Sequence, residues 1–86
     1  MVMFQEFNNK IFKCLIDTVI FLEFSEENIV DPDSAAELLE TIGAELQSMN
    51  EKNRQFFKEK IKVIAHDYSD DKKNFVCSLP DFFGLC

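Results

Sequence analysis

Apolar residues recur at every third or fourth position through the first part of the chain. Between residues 3 and 22 this spacing is kept by Phe4, Phe7, Ile11, Leu15, Val19 and Leu22, with Phe12 and Ile16 beside them. That period is typical of one face of an α-helix. Residues 19 to 24 are β-branched and aromatic and would also suit a strand, but no second strand of comparable strength is present to pair with them. We therefore predict a central first helix over residues 3 to 22.

A second helix has the clearest start signal in the chain. After a polar, acidic connector over residues 25 to 30, Asp31 can act as an N-cap, Pro32 suits the first helical position, and Asp33 places negative charge in the first turn. Ser34 and Glu37 also fit a capping box, so two starts three residues apart are open. The helix is predicted to reach Met49, with a core stripe of Ala35, Leu38, Leu39, Ile42, Leu46 and Met49.

Two further helices follow. Asn50 can cap a third helix over residues 51 to 68, whose stripe is Phe57, Ile61, Ile64 and Tyr68, with Phe56 and Val63 beside it. Because almost no linker separates the second and third helices, we predict that they fold back as a hairpin. A fourth helix over residues 70 to 79, ended by Pro80, precedes a tail over residues 82 to 85 that folds onto the bundle. The predicted fold class is all-α: a small antiparallel bundle of three main helices plus a short C-terminal helix.

Composition agrees with a single small domain. The chain has 86 residues, 47% of them hydrophobic, and ten are Phe, whereas only two Gly and two Pro are present. Eighty-six residues are too few for a second core, so one domain over residues 1 to 86 is predicted. So few turn-forming residues disfavour an all-β sandwich. We expect the phenylalanines to be mostly buried, because a small domain gains most from large aromatic side chains in its core.

The side chains that could support catalysis are few. His66 is the only histidine, and its neighbour Asp67 points about 100° away on a helix, so we expect an exposed histidine near a helix C-terminus. Cys14 and Cys77 lie on segments that look like core, and Cys86 ends the chain. Three cysteines without a CxxC pair are typical of reduced thiols, so we expect no disulfide framework. We predict a protein that is not an enzyme and needs no metal or cofactor.

Charge is distributed very unevenly along the chain. The formal net charge is −7, which disfavours direct nucleic-acid binding. From residue 14 to residue 51 there are ten acidic residues and no Lys or Arg, whereas residues 52 to 62 carry five basic residues and one acidic residue. Either the basic third helix neutralises the acidic second helix across their hairpin, or the acidic residues form a free surface that attracts a basic partner.

The helical period favours the free surface. Asp33, Glu37 and Glu40 lie opposite the predicted core stripe, so they face water and cannot all reach the third helix. The connector adds further carboxylates beside them. The predicted partner-binding residues are Glu26, Glu27, Asp31, Asp33, Glu37 and Glu40.

The sequence has no sign of a targeting or membrane segment. The N-terminus lacks the basic head and cleavage site of a signal peptide, and the apolar run over residues 14 to 24 is short and interrupted by Asp17 and Glu23. We expect a cytoplasmic protein that does not bind membranes.

Two stretches resemble a known class of protein. They are FLEFSEENIVDPDSAA over residues 21 to 36 and SLPDFFGL over residues 78 to 85. With the helices between them, they make residues 19 to 85 similar to small acidic helical immunity proteins of bacterial polymorphic-toxin and contact-dependent growth inhibition systems. The resemblance implies binding to a cognate toxin domain with a basic surface, often a nuclease, and inhibition by occlusion. An alternative is an adaptor that binds an amphipathic helix through a Phe-rich surface.

Overall fold

The computed structural model describes residues 2 to 85, with side chains from residue 5 onward, and every element in that range is helical. Its helices are α1 (Val2–Phe24), α2 (Pro32–Gln47), α3 (Glu51–Ile64), a 3-10 helix (Ala65–Asp67), α4 (Asp70–Cys77) and α5 (Leu79–Phe82). The all-α prediction is confirmed. The side chain of Phe4 and the whole of Cys86 lie outside the described residues.

Local side-chain caps set where the two middle helices begin. The Asp31 carboxylate accepts hydrogen bonds from the backbone N–H and the hydroxyl of Ser34, both at 2.9 Å, so α2 begins at the first of its two possible starts. Asn50 Oδ1 accepts from the backbone N–H of Asn53 at 2.8 Å and caps α3 as predicted.

Helix ends were harder to predict than helix starts. The third helix ends at Ile64 and tightens into the 3-10 helix before Tyr68. The prediction that Pro80 ends the fourth helix was wrong. α4 already stops at Cys77, and Pro80 lies in the first turn of α5, where its missing N–H leaves no hydrogen bond unmade.

The buried core draws on every α-helix. Its fully or nearly fully buried members are Ile16, Val19, Leu39, Phe57, Ile61, Ile64, Ala65, Val76, Leu79, Phe83 and Leu85. Three residues assigned to the core stripes are instead exposed: Phe7 (60%), Ile11 (52%) and Leu38 (44%). Apolar residues surround most of α1, so their spacing could not identify its inner face, which is centred on Phe12, Ile16 and Val19.

The predicted hairpin of α2 and α3 is not among the main backbone contacts between helices. The backbone of α2 packs against α1, while α3 approaches the 3-10 helix, α4 and α5. The antiparallel pairing of α2 with α3 is therefore not confirmed. Arg54 and Lys58 of α3 line a cleft with Gly84 and Leu85 of the C-terminal segment.

Polar contacts fix the later segments onto the first two helices. The Tyr68 hydroxyl donates a hydrogen bond to Asp17 at 2.5 Å, and Lys13 Nζ lies 5.4 Å from the centre of the Tyr68 ring. Gln47 Nε2 donates to the backbone carbonyl of Phe83 at 2.7 Å. Phe83 and Leu85 are buried, which confirms that the tail folds onto the helices.

Gly84 makes this tail conformation possible. Its φ is +72°, and a Cβ at this position would lie 2.9 Å from Gln47 Nε2. A residue with a side chain would be strained by its backbone and would also displace Gln47.

Candidate protein-binding surface

Six carboxylates form what we call the acidic patch: Glu26, Glu27, Asp31, Asp33, Glu37 and Glu40. All six residues are exposed. Glu26 and Glu27 lie in the connector, where the Glu26 carbonyl accepts from the N–H groups of Ile29 and Val30. At 100° per residue, Asp33, Glu37 and Glu40 of α2 fall within about 60° of one another around the helix axis. The patch therefore comprises two carboxylates of the connector, the N-cap of α2 and three carboxylates on one side of α2.

Within the patch, the Asp31 carboxylate is held by the backbone N–H and the hydroxyl of Ser34. Hydrogen bonds from the backbone N–H and then the hydroxyl of Ser34 lower the pKa of Asp31, and no cation contributes to this shift. Both bonds favour the ionised carboxylate. Asp31 thus caps α2 and adds negative charge to the patch.

The alternative interpretation, in which the basic residues of α3 neutralise the patch, requires α3 to lie beside α2 as a hairpin. Two of the basic residues of α3, Arg54 and Lys58, instead lie beside the C-terminal segment. Lys10 and Lys13 of α1 line a separate cleft with Val63, Ile64 and Asp67. These four basic residues therefore line clefts that contain no residue of the acidic patch.

A cleft of about 510 Å³ adjoins the acidic patch. We call it the α2–α5 cleft, because it runs between those two helices beside the C-terminal end of α1. Its lining residues are Glu23, Ala36, Leu39, Glu40, Gly43, Ala44, Gln47, Asp81, Phe82, Phe83 and Gly84. Glu40 belongs to both the patch and the cleft, so the two surfaces are continuous.

Four phenylalanines form an aromatic ladder next to this cleft. The ring centres of Phe24 and Phe75 are 5.0 Å apart, those of Phe75 and Phe82 are 5.4 Å apart, and those of Phe82 and Phe83 are 5.1 Å apart. All three pairs meet edge to face, a favourable geometry. Phe83 is buried, but Phe24 remains 58% exposed and Phe82 41% exposed. The ladder therefore forms a continuous row of aromatic rings that extends from the buried Phe83 to the exposed Phe24.

The expectation that the phenylalanines are mostly buried was wrong. Among those whose side chains the structure describes, Phe7, Phe21, Phe24, Phe56 and Phe82 are all exposed. Buried positions in this fold are instead filled largely by aliphatic residues, and Phe57 and Phe83 are the buried phenylalanines among those described.

The possible catalytic side chains are dispersed. Cys14 and Cys77 are free thiols and both are exposed, so their assignment to the core was wrong. Each is exposed on a helix that also carries a buried residue close by in sequence, Ile16 and Val76 respectively. His66 is exposed in the 3-10 helix, as expected for a histidine at a helix C-terminus.

The described residues include neither a cluster of metal ligands nor a membrane-spanning helix. Within residues 2 to 85, no three His, Cys, Asp or Glu side chains are placed to hold a metal ion. Over the same part of the chain, no helix has the length and apolar character needed to cross a bilayer.

Sequence reasoning missed the α2–α5 cleft. Its lining comes from residues 23 to 84, which only the tertiary fold brings together. One local signal was Gly43 in the middle of a helix: a Cβ there would lie 3.3 Å from Phe83 Cδ1, so glycine allows the Phe83 ring to approach α2 closely. Comparisons of the chain with protein-family models, with curated proteins and with solved structures found no match.

Proposed function

We propose that this protein is a non-catalytic inhibitor of the immunity-protein type, which binds a toxin domain through the acidic patch and so neutralises it. The partner surface is basic, as in the substrate-binding cleft of a nuclease. The resemblance of residues 21 to 36 and 78 to 85 to immunity proteins supplies the class of partner. The exposure of all six patch carboxylates is the observation that supports the binding surface.

Electrostatics gives such a surface its function. Clustered charges of one sign create a directional field, which accelerates encounter with an oppositely charged protein and penalises partners of like charge. A nuclease binds polyanionic substrate through basic residues, so an acidic protein can occupy the same cleft and exclude the nucleic acid.

Co-expression in bacteria tests the proposal directly. The toxin to use is a candidate toxin domain taken from a reading frame next to this gene, and cells that produce it are expected to survive when this chain is present and to die without it. We expect the double variant Glu37→Lys/Glu40→Lys to lose protection, because both substitutions place positive charge against a basic partner. Glu6→Lys/Glu59→Lys is the matched control: it changes the net charge equally, at two exposed positions outside the patch.

Two results would contradict the proposal. One is death of the cells despite a folded, expressed wild-type chain. The other is equal protection by the patch variant and the control, which would show that toxin binding does not depend on these carboxylates. Circular dichroism of both variants checks that their helix content is unchanged.

The exposed aromatic residues favour a second candidate function, an adaptor that binds an amphipathic helix. Phe24 and Phe82 present apolar surface, and Phe21 is also exposed on α1. Grooves that bind amphipathic helices recognise them mainly through apolar anchors. Such an adaptor would bind a helical peptide with an affinity that depends little on salt, whereas patch-driven inhibition depends on salt strongly.

A further inference from the structure

We infer that the α2–α5 cleft is a docking site for a basic amphipathic segment of a partner protein, whose lysine or arginine side chains enter the cleft. This inference rests on the proposed function, because it places one anchoring contact of the basic partner. It goes beyond the acidic patch by assigning a second surface, built from α1, α2 and α5, and by specifying the chemistry of the segment that fills it.

The floor of the cleft is fixed and apolar. Leu39 and Phe83 are both buried, and the Phe83 ring lies against Gly43, where no side chain intervenes. The hydrogen bond from Gln47 Nε2 to the Phe83 carbonyl ties the C-terminal segment to α2. A floor held in this way is formed before any partner arrives, so binding does not have to order it.

The rim of the cleft is negative on three sides. Glu23 lies at the end of α1, Glu40 on α2 and Asp81 in α5, and all three are exposed. Phe82 adds an aromatic wall beside Asp81, and its ring is held edge to face between Phe75 and Phe83. Carboxylates from three separate elements thus surround an apolar and aromatic surface.

Lysine and arginine match this combination. Their aliphatic stems can cover the apolar floor while the cationic head reaches the rim carboxylates. A phosphate or other anion would be repelled by the rim, and a purely apolar ligand would cover the carboxylates without supplying them a partner.

The extent of the surface favours a peptide segment over a small cation. A volume of about 510 Å³ lies within the range of ligand-sized sites. Phe24 extends the apolar surface beyond the cleft, since its ring packs on Phe75 and is 58% exposed. A segment that alternates basic and apolar residues would cover both the cleft and the outer part of the ladder. The net charge of −7 disfavours a second copy of this chain or an anionic bilayer as the occupant.

The test uses the full chain and a synthetic amphipathic helical peptide made of Leu, Lys and Arg. Binding is followed by two-dimensional ¹H–¹⁵N NMR. We expect the largest shift changes at Leu39, Gly43 and the residues of α5. Ala44→Trp fills the cleft from an exposed position without changing charge and is expected to weaken binding about tenfold. Thr41→Trp is the control, because Thr41 is exposed on α2 but does not line the cleft.

Each other outcome would overturn the inference. Equal affinity of the wild type and Ala44→Trp, or equal binding of oligolysine without an apolar stripe, would indicate nonspecific charge attraction. Binding to vesicles of phosphatidylcholine and phosphatidylglycerol but not to the peptide would assign the surface to lipid. Self-association that Ala44→Trp abolishes would assign it to a second copy.

Failure of this inference can be told apart from failure of the proposed function. Toxin protection is scored by survival of cells carrying the Glu37→Lys/Glu40→Lys variant, whereas the cleft is scored by peptide binding to Ala44→Trp. Loss of protection in the patch variant together with unchanged peptide binding by Ala44→Trp would retain the inhibitor and reject the cleft. A cleft-specific peptide complex formed by a chain that protects against no toxin would retain the cleft and reject the inhibitor.

Discussion

At the scale of single residues, Tyr68 joins the 3-10 helix to α1. Its hydroxyl donates to Asp17, and Lys13 lies over its ring. Partial burial, and then the hydrogen bond and negative charge of Asp17, raise the pKa of Tyr68 well above its ordinary value near 10. The contact therefore requires the protonated hydroxyl, and ionisation of Tyr68 would place two negative charges together.

The raised pKa of Tyr68 leads to a prediction about alkaline pH. The native state keeps the phenolic proton at pH values where the unfolded chain has released it. The contribution of this contact to the free energy of unfolding is therefore fully present below about pH 10 and declines above it. Tyr68 is the only tyrosine and there is no tryptophan, so tyrosinate absorbance reports this residue alone. We expect the titration midpoint of the native protein to lie above that of the chain in concentrated urea. Coinciding midpoints would contradict the prediction.

Unfolding experiments provide an independent check on the same contact. Lysines also titrate in this range, so the comparison is made between the wild type and Tyr68→Phe, which lacks the ionisable group. The free energy of unfolding of the wild type should fall more steeply with pH above about 10 than that of the variant. An equal pH dependence of the two free energies would show that ionisation of Tyr68 does not contribute to the loss of stability.

At the scale of helices, the starts could be predicted from the sequence and the buried faces only in part. A cap depends on residues within one turn, so Asp31 and Asn50 could be identified without knowing the fold. The inner face of α1 depends on which neighbours pack against it, and its apolar residues surround the axis too evenly to show this. The exposure of the acidic patch followed from the helical period, because charged residues opposite a core stripe face water.

Neither the α2–α5 cleft nor the packing of α2 relative to α3 could be predicted from local sequence patterns. Both depend on how helices pack, and a short loop between α2 and α3 does not by itself place them side by side. The close approach of Phe83 to Gly43 draws the C-terminal segment onto α2. The expectation of a neutralising α3 therefore rested on a contact that the sequence could not establish.

Two apolar residues of α3 allow the buried face to be tested. Ile61 is 1% exposed, whereas Val63 is 64% exposed. We expect Ile61→Val to lower the free energy of unfolding by about 1 kcal/mol, since it removes one buried methyl group and leaves a small cavity. Val63→Ala is the matched control and should change it by less than about 0.5 kcal/mol. Urea unfolding measures both, and a larger loss for Val63→Ala would reject the assigned face.

At the scale of the whole molecule, charge is separated between regions. Residues 14 to 51 contain ten acidic and no basic residues, and residues 52 to 62 carry a net charge of +4. In the fold, Arg54 and Lys58 line a cleft with the C-terminal segment and with no residue of the acidic patch. The molecule measures 43 × 28 × 22 Å, and the Debye length is about 30 Å at 0.01 M salt but about 8 Å at 0.15 M. At low salt the field of the patch therefore extends over a distance comparable to the protein itself.

This comparison of lengths predicts how association with a toxin partner responds to salt. We expect the association rate to fall by about tenfold or more between 0.01 M and 0.15 M salt, because steering by the acidic patch is screened. The dissociation rate should change less, since it reflects short-range contacts. Stopped-flow mixing with a catalytically inactive toxin domain measures the association rate.

Variants identify which charges steer association. The patch variant Glu37→Lys/Glu40→Lys should associate more slowly at low salt and depend less on salt than Glu6→Lys/Glu59→Lys, which has the same net charge. Two variants of equal net charge can differ in this way only if the position of the carboxylates matters, so a shared salt dependence would assign the effect to net charge alone. An association rate that is independent of salt in the wild type would instead favour the aromatic ladder as the main contact, and with it the adaptor.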